Sequence, residues 1–585
     1  MKLMGISFAE FPSCPLLLCI ALALCFNQVS STTNETDKLA LLAFKVGITR
    51  DPFGVLNSWN NSIGFCQWHG ITCGQRHRRV TVLNLSSQEL SGLISPHIGN
   101  FSFLREMRLQ NNSLDHEIPP QVDNNSLVGK IPKNILGCLD LFALSISYNE
   151  LTGKIPRELG SLPKLQKVNL NFNNLSGSIP FSIGNLSSLA QLSLAWNNLG
   201  GSIPQVLGHR TNLQVISLTK NRFSGKIPSS LFNLSLLISF EVSLNQIQGT
   251  LPASMGLKLP NLEKFSVHGN QLEGLIPPSI SNCTKLVPSL ENLYNLSKFR
   301  ISDNQLGSRK PEDLSFLCSL TNSTKLHAVD IGLNKFGGVL PKCLGNLSST
   351  LNFFYAFRSQ IYGEIPEEIG NLVNLELLVL GFNQFSGVIP SNLGNLQNLV
   401  ILQLSHSNLR GTIPSSLGNL TKLIQVHLQG NNFHGQIPSH LSNCRSLILL
   451  DLSYNNLSGA IPPQLFSLSS LAISLSLSDN HLTGALPIEV GNLRALTMLD
   501  ISNNLLVGEI PSSLGDCSSL AILGMQGNFF HKSIPQSIRS LKGIEELDLS
   551  HNNLSGQIPE FLAVFRFLKR LNLSYNKFEG MLPCE

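Results

Sequence analysis

The cysteines and histidines have the widest chemical range of any residues in this chain, which contains 12 and 14 of them. Cys66 and Cys73 lie seven positions apart, a spacing that predicts a disulfide bond in a secreted protein. Cys318 and Cys343 form a second candidate pair. Four further cysteines each precede a leucine in similar surroundings, which predicts small, buried and inert thiols: Cys138, Cys283, Cys444 and Cys517.

No motif for catalysis occurs in the sequence. A glycine-rich phosphate loop, a kinase catalytic loop and a His-Glu-x-x-His metal helix are all absent. The histidines are scattered, and the acidic residues form no convincing carboxylate pair. We therefore expect no enzymatic activity, no metal site and no cofactor.

Charge also restricts the class of partner. Charged residues make up 13% of the chain and the net charge is +5, which gives no footprint for nucleic acid. The densest basic cluster is Arg76–Arg79, and it is predicted to be a solvated edge.

The first residues predict export. Lys2 precedes an apolar stretch, Leu16–Phe26, and small residues follow, so 1–31 is predicted to be a signal peptide. The apolar stretch is too short to cross a bilayer, and no later segment is long enough. We expect a secreted or cell-surface location in the apoplast, and the plasma membrane if the native gene product extends further.

Asn-x-Ser/Thr sequons agree with passage through the secretory pathway. Asn84, Asn111 and Asn572 fall on outward strand positions of the outer coils, so glycans there would leave the middle of that surface open. The other predicted glycosylation sites are Asn34, Asn60, Asn100, Asn185, Asn233, Asn346, Asn419, Asn456 and Asn553.

A repeat must position all of these residues. The pattern Leu165-x-x-Val168-x-Leu170-x-x-Asn173 returns with the asparagine at Asn197 and Asn221, a spacing of 24 residues. This is a leucine-rich repeat period. It predicts an α/β solenoid: a right-handed superhelix with a concave parallel β-sheet and short helices on its convex side.

The recurring asparagine, called here the ladder asparagine, must satisfy a buried amide at the corner after each strand. Gln88, Ser359 and Ser407 replace it, which predicts weaker points. We assign 32–79 to an N-terminal cap and 80–585 to about 20 repeats. Irregular coils are expected near 113–131 and 277–294, where a strand is missing, and near 308–325, where extra residues predict a longer convex helix. Two explanations of the missing strands remain open: a deletion or gene-model error, or a real pair of irregular loops.

Together these motifs resemble a known family. The segment Thr36–Lys45, with Trp59 and the Cys66–Cys73 pair, resembles the plant-type N-terminal cap. The phrase Leu-x-x-Leu-x-Leu-x-x-Asn-x-Leu-Ser-Gly-x-Ile-Pro resembles the plant-specific leucine-rich repeat. Leu306–Ser308 followed by Asp313–Leu317 resembles the receptor kinases related to the flagellin and elongation-factor receptors of plant immunity.

The resemblance implies an ectodomain that binds a peptide or protein ligand and recruits a co-receptor kinase ectodomain. Members of that family continue past a Leu-Pro like Leu582-Pro583 into a C-terminal cap, a membrane helix and a serine/threonine kinase. Because none of these follows here, the expectation is a truncated receptor without kinase activity of its own.

The concave face is the usual binding surface of a solenoid, and large side chains among its outward Ser, Asn, Asp and Gly residues are candidate contacts. Two groups stand out. The first is Tyr148, Phe172, Trp196 and Lys220. The second is Tyr355, Phe357, Arg358, Phe382, Gln403, His406 and His427.

Three functions remain open on the sequence. The leading one is extracellular ligand recognition in immune or developmental signalling. A secreted inhibitor of pathogen cell-wall hydrolases uses similar repeats, although such inhibitors are about half this length and close with a cysteine-bearing cap. The third is a non-functional remnant of a receptor kinase gene.

Overall fold

The computed structural model describes residues 34–112, 129–252, 259–276 and 294–580. These form two compact units that divide between Ser176 and Gly177. The predicted signal peptide, Cys283, and most of the irregular coils predicted near 113–131 and 277–294 lie outside the described residues.

The first unit begins with the cap. Helix α1, Asn34–Val46, buries Ala40, Leu41 and Phe44. Strand Ile71–Cys73 pairs antiparallel with the first repeat strand, Val80–Asn84. The next repeat strands, Glu106–Arg108, Ala143–Ser145 and Lys167–Asn169, continue that sheet in parallel. The remaining strands are Ile48–Arg50, Ser91–Gly92, Thr152–Lys154 and Asn174–Gly177.

A buried ion pair joins the cap to the first repeat. Arg79 donates to both carboxylate oxygens of Asp37, at 2.6 and 2.9 Å, and the amide of Val80 donates to the same carboxylate at 2.8 Å. The prediction of a solvated basic cluster is therefore wrong for Arg79, which is 4% exposed. It holds for Arg76, His77 and Arg78, which are exposed.

The second unit carries one parallel ladder of short strands, each paired with the next repeat's strand. Inward side chains stack in register, as Leu450 on Leu475 and Leu475 on Leu499. The strands are Gln191–Ser193, Val215–Ser217, Ser239–Glu241, Lys264–Ser266, Lys298–Arg300, Ala328–Asp330, Phe353–Tyr355, Leu377–Val379, Ile401–Gln403, Gln425–His427, Leu449–Asp451, Ser474–Ser476, Met498–Asp500, Ile522–Gly524, Glu546–Asp548 and Arg570–Asn572.

A second set of parallel strands follows the corner of most coils in this unit. Most of these strands end at the glycine of the Gly-x-Ile-Pro phrase or directly after it. They are Asn198–Ser202, Arg222–Gly225, Gln246–Gly249, Gln271–Gly274, Gln305–Leu306, Tyr362–Glu364, Gln384–Ser386, Arg410–Gly411, Asn432–Gly435, Asn456–Ala460, His481–Ala485, Leu505–Glu509, Phe529–Lys532, Asn553–Gly556 and Lys577–Phe578.

The far side of the coils consists of single 3₁₀ turns, most of which begin directly after the proline of the repeat. In the first unit they are Pro96–Asn100, Lys133–Gly137 and Arg157–Ser161, and the cap contains two further 3₁₀ turns, Val55–Ser58 and Phe65–Gln67. In the second they are Phe181–Asn185, Gln205–His209, Ser229–Asn233, Ser315–Cys318, Leu320–Asn322, Lys342–Asn346, Glu367–Asn371, Ser391–Asn395, Ser415–Asn419, Ser439–Asn443, Pro463–Ser467, Ile488–Asn492, Ser512–Asp516, Gln536–Ser540 and Glu560–Val564.

The extra residues near 308–325 do not form the predicted longer helix. They make two successive 3₁₀ turns, because Asp313 accepts hydrogen bonds from the amide and hydroxyl of Ser308 and so ties the insertion to the preceding loop. Phe316 packs inward between Phe299 and Phe336, with ring centroids 5.9 and 5.8 Å away.

Two disulfide bonds are present among the described cysteines. Cys66 joins Cys73 with Cα atoms 5.5 Å apart, and Cys318 joins Cys343 at 5.3 Å. Cys138, Cys444 and Cys517 are buried and unpaired, and burial raises the pKa of each thiol, to about 12 for Cys138 and about 11 for the other two. Such thiols are unreactive at neutral pH.

The ladder continues across both intervals that lack a strand. Met107 lies opposite Leu144, and Phe265 lies opposite Phe299, each in the neighbouring strand. The asparagine after the first interval, Asn149, still donates to the carbonyl of Leu109 in the preceding coil, at 3.1 Å. The missing strands therefore leave no gap in the sheet.

The leucine-rich repeat solenoid predicted from the sequence is thus confirmed. Among the described residues, no helix is long and apolar enough to cross a membrane.

The ladder asparagines bond as their burial requires. Asn455, 5% exposed, donates to the carbonyls of Leu428, Leu452 and Ser453 at 3.1 Å each. Its side-chain oxygen accepts from the amide of Phe433 at 3.1 Å. One amide group therefore joins two coils and closes its own corner.

Replacing Asn455 with alanine should open this part of the ladder. The change leaves a buried amide and carbonyls without a partner, which costs about 1–3 kcal/mol. Amides of residues 425–455 should exchange hydrogen faster by the corresponding factor, measured by mass spectrometry. The exposed Asn408→Ala is the control, with an effect within about 0.5 kcal/mol. Equal exchange in the two variants would contradict this account.

Candidate functional site

The outward side chains of each coil come from two kinds of backbone. The first and third residues of a strand point to the concave face, and so does the residue two positions further on. The residue just before the ladder position then has a left-handed conformation, with φ of 50° at His406, 56° at Phe382 and 49° at Arg358.

Part of both predicted groups occupies this left-handed position. Arg358, Phe382 and His406, like Tyr148 and its equivalents, lie just beyond the strands and not on them. Such a φ is unfavourable for bulky residues. It persists because the backbone is tied to the next coil, as when the amide of His406 donates to the carbonyl of Gln429 at 2.8 Å.

The first predicted group is divided between the two units. In the first unit the rings of Tyr148 and Phe172 stack with centroids 4.2 Å apart. In the second, the Lys220 ammonium lies 5.7 Å from the Trp196 ring centroid. Tyr148 and Trp196 are 52% and 46% exposed.

Four rings of the second predicted group, together with Phe353, form a continuous run, called here the aromatic patch: Phe353, Tyr355, Phe357, Phe382 and His406. Successive ring centroids are 6.2, 5.9, 5.0 and 4.3 Å apart. Phe382 is 42% exposed, while Tyr355 and Phe357 are half-buried. Phe353 was not singled out in the sequence, because its position is the first of a strand, where apolar residues are common.

A glycine makes room for the patch. A Cβ on Gly332 would lie 2.4 Å from the ring of Tyr355 and 3.0 Å from the carbonyl oxygen of Phe357. Any side chain at position 332 would therefore push the tyrosine ring away from its neighbours.

Charged groups border the patch on the side of the preceding coils. The Arg300 guanidinium lies 5.9 Å from the Phe353 ring centroid, and Asp330 is the cross-strand neighbour of Tyr355. Burial raises the pKa of Asp330, although the Ser302 hydroxyl and Arg300 oppose the shift. The pKa of Tyr355 is raised by burial and then by Asp330 and Asp303.

Gln403 and His427 continue the surface on the other side, as cross-strand neighbours. Burial lowers the pKa of His427 below its ordinary 6.5, and the nearby Asp451 carboxylate opposes the shift. Arg358 is exposed beside the patch. The structure thus brings all seven residues of the second group onto four neighbouring coils.

Sequence reasoning missed the polar continuation of this face. Asp451, Asp479 and Asp500, called here the acidic tract, follow on the next coils. Neither lysine nor arginine occurs in the strands from Leu377–Val379 to Ile522–Gly524 or in the four residues after each. The available signal for Asp451 and Asp500 is the Asp-Leu-Ser or Asp-Ile-Ser phrase, which resembles ordinary repeat composition.

Comparison with known proteins agrees with this architecture. Residues 34–74 match the leucine-rich repeat N-terminal domain. The leucine-rich repeat model matches 140–162, 164–186, 212–234, 261–283, 374–396, 398–420, 422–444, 446–468, 495–517, 543–565 and 567–585.

Among solved structures, the Arabidopsis receptor kinase HAESA, in complex with the peptide hormone IDA and the co-receptor SERK1, superposes with a TM-score of 0.79. The two sequences are 32% identical, and the alignment covers 94% of this chain and 91% of the HAESA chain. The plant peptide hormone receptor RGFR1, in complex with RGF2, has a TM-score of 0.70 and 30% identity, and covers 88% of this chain and 96% of its own.

Two curated relatives match over shorter lengths. The LRR receptor-like serine/threonine-protein kinase EFR of Arabidopsis thaliana is 46% identical over 106 residues, which is 18% of this chain and 10% of EFR. Receptor kinase-like protein Xa21 of Oryza sativa subsp. japonica is 43% identical over 88 residues, 15% of this chain and 8% of Xa21. These alignments thus span a tenth or less of each relative.

The fold and the concave face define a receptor-like leucine-rich repeat ectodomain of the plant type. The chain belongs to the plant leucine-rich repeat receptor kinase family, and it matches the extracellular, ligand-binding part of its relatives.

Acid should destabilise this face through His427. Because its pKa is lower in the folded chain than in the unfolded one, stability is complete above about pH 6.5 and is lost as the pH falls through the folded-state value. In His427→Gln the loss of thermal stability between about pH 7 and pH 5 should be smaller than in the parent chain.

His434→Gln is the matched control, because His434 is exposed and lies in the strand Asn432–Gly435 of the same coil. This variant should lose as much thermal stability between about pH 7 and pH 5 as the parent chain. The idea fails if both substitutions leave the pH dependence of the melting temperature unchanged.

Proposed function

We propose that this chain is the ligand-recognition ectodomain of a receptor-type protein, and that the aromatic patch binds a peptide or protein ligand. The carrying observation is the continuous run of five rings across three coils, on a face otherwise composed largely of small and polar side chains.

Physical reasons favour binding over a structural role for these rings. The interior of each coil is already filled by its own leucines and phenylalanines, such as Phe354, which is fully buried beneath the patch. The patch rings stand on the opposite side of the strand. Exposed aromatic side chains contribute large contact areas at a small cost in conformational entropy, and they are frequent among residues that dominate binding energy.

The relatives support this assignment. HAESA and RGFR1 were solved with a peptide hormone and with RGF2, and HAESA also with the co-receptor SERK1. By analogy we propose a peptide or protein ligand for this chain, with a co-receptor kinase ectodomain as a second partner. The pathway served is immune or developmental signalling, at the cell surface. The described region acts by binding and not by catalysis.

Selection of peptides would test the proposal. A phage-displayed library of random dodecapeptides is selected on the secreted, glycosylated chain, and the recovered peptides are titrated by fluorescence anisotropy. Phe357→Ala and Phe382→Ala should each weaken binding about tenfold or more, since a central aromatic contact is worth about 2 kcal/mol.

The control is Phe181→Ala, which removes an equally large ring, 71% exposed, from a 3₁₀ turn on the far side of its coil. Its titrations should match those of the parent chain. If no peptide is recovered, or if the recovered peptides bind both patch variants as tightly as the parent, the aromatic patch is not the binding site.

A further inference from the structure

The concave face next to the aromatic patch bears on the chemical class of the ligand. This inference rests on the function proposed above. Three features follow one another along the concave face in the second unit. They are the rings, a pair of polar side chains without partners, and the acidic tract.

The polar pair lies directly beside the rings. The Ser405 hydroxyl is 0% exposed and has no hydrogen-bond partner among the described residues, and the Gln429 side-chain oxygen in the next coil has none either. A Cβ on Gly381 would fall 2.9 Å from the Ser405 Oγ, so this hydroxyl borders the space that the glycine leaves on the concave face.

The reason for the unpartnered hydroxyl is local. In coils with aspartate at the third strand position, the following serine is satisfied: the Ser453 hydroxyl donates to Asp451 at 2.6 Å, and the Ser502 hydroxyl donates to Asp500 at 2.6 Å. In the Ile401–Gln403 strand a glutamine replaces that aspartate, and the Ser405 hydroxyl loses its acceptor. A buried group of this kind costs free energy until something bonds to it.

The acidic tract retains carboxylate oxygens that can bind a cation. Asp451 and Asp500 use one carboxylate oxygen, Oδ1, for the serine two residues on. Among the described residues no donor reaches the second oxygen of either. Asp479 lies on the coil between them, directly before its ladder asparagine. Its Oδ1 accepts a hydrogen bond from the side chain of Asn503 at 2.9 Å.

Tyr454 lies in the negative potential of the acidic tract. It is 62% exposed, yet its pKa is raised, first by the Asp479 charge and also by Asp500 and Asp451. No cationic side chain of the concave positions in these coils balances the three carboxylates, so a bound cation would be strongly favoured over a neutral group.

We propose that the ligand is an extended, cationic peptide. An apolar or aromatic residue of the peptide packs on Phe357 and Phe382. Its backbone bonds to the Ser405 hydroxyl and the Gln429 amide oxygen, and its lysine or arginine side chains pair with the acidic tract. An anionic or a purely apolar ligand fits this face poorly, because it would leave the carboxylates unpaired.

The spacing of these features sets the spacing within the peptide. The coil of Asp451 is three steps beyond that of Phe382, and the coil of Asp500 is five. At about 4.8 Å per coil these distances are roughly 14 and 24 Å. An extended chain rises about 3.3 Å per residue, so the basic residues should lie about four to seven positions from the aromatic one.

The peptides recovered by the dodecapeptide selection test this directly. They should be enriched in Lys or Arg about four to seven positions from an aromatic or large apolar residue. Replacing those basic residues with glutamine should weaken binding about tenfold or more, and raising the salt concentration should weaken the parent peptide but not its glutamine analogue.

Variants of the chain give the reciprocal arm. Asp451→Asn, Asp479→Asn and Asp500→Asn, combined in one protein, keep the oxygen that the neighbouring donors use but remove the charge. Selection on this variant should recover peptides without the basic enrichment and with the aromatic residue retained. The control is Asp516→Asn, an exposed aspartate in a 3₁₀ turn on the far side of its coil, which should behave like the parent.

The outcomes separate the two proposals. If recovered peptides depend on Phe357 and Phe382 but show no basic enrichment, or bind the triple variant unchanged, the cationic ligand is wrong and the binding site stands. If they do not depend on the rings, or if none is recovered, both proposals fail. Unchanged circular dichroism and thermal melting of the triple variant would show that any loss of binding is not a loss of folding.

Discussion

The side-chain amide at each corner is the interaction on which the rest of this structure depends. A short strand followed by a left-handed residue turns the chain sharply and leaves several backbone groups facing the interior. At Asn504 one amide donates to Leu477, Ile501 and Ser502 and accepts from Leu482. No apolar residue can replace it, since the buried carbonyls would lose their donor. Each repeat thereby fixes both its own corner and its distance to the preceding coil.

This division of work frees the outward positions. Leucines and ladder asparagines satisfy the interior, and the outward residues contribute little to the fold. The same backbone therefore carries rings at Phe357 and Phe382 and carboxylates at Asp451 and Asp500. The ladder also continues across the two intervals near 113–131 and 277–294. The strands on either side of each interval pair in register, as Lys264–Ser266 pairs with Lys298–Arg300.

Substitutions of the ladder asparagine fall beside the patch. Ser359 replaces part of its hydrogen bonding. The Ser359 hydroxyl donates to the carbonyl of Ile331 at 3.1 Å, and the Ser359 backbone amide donates to the side-chain oxygen of Asn383. The Ser407 hydroxyl has no partner among the described residues. The coil Ile401–Ser407 thus contains two unsatisfied hydroxyls, at Ser405 and Ser407, at the edge of the aromatic patch that faces the acidic tract. A less perfectly bonded coil next to exposed rings is typical of a surface shaped by recognition more than by stability.

The sequence alone determined the solenoid, the register of its strands, the cap and the residues that fill the interior, because each follows from a local repeat of apolar and amide side chains. It also selected Tyr355, Phe357, Phe382 and His406 as departures from the outward composition. It did not reveal that these rings touch, since contact depends on coil spacing and on the space at Gly332. It misjudged Arg79, whose partner Asp37 is distant in sequence, and the insertion near 308–325, where Asp313 ties the loop into two turns. It also overlooked Ser405, Gln429 and the acidic tract. Each looks like ordinary repeat composition by itself, and only the stacking of coils brings charges and unpartnered groups from separate repeats onto one face.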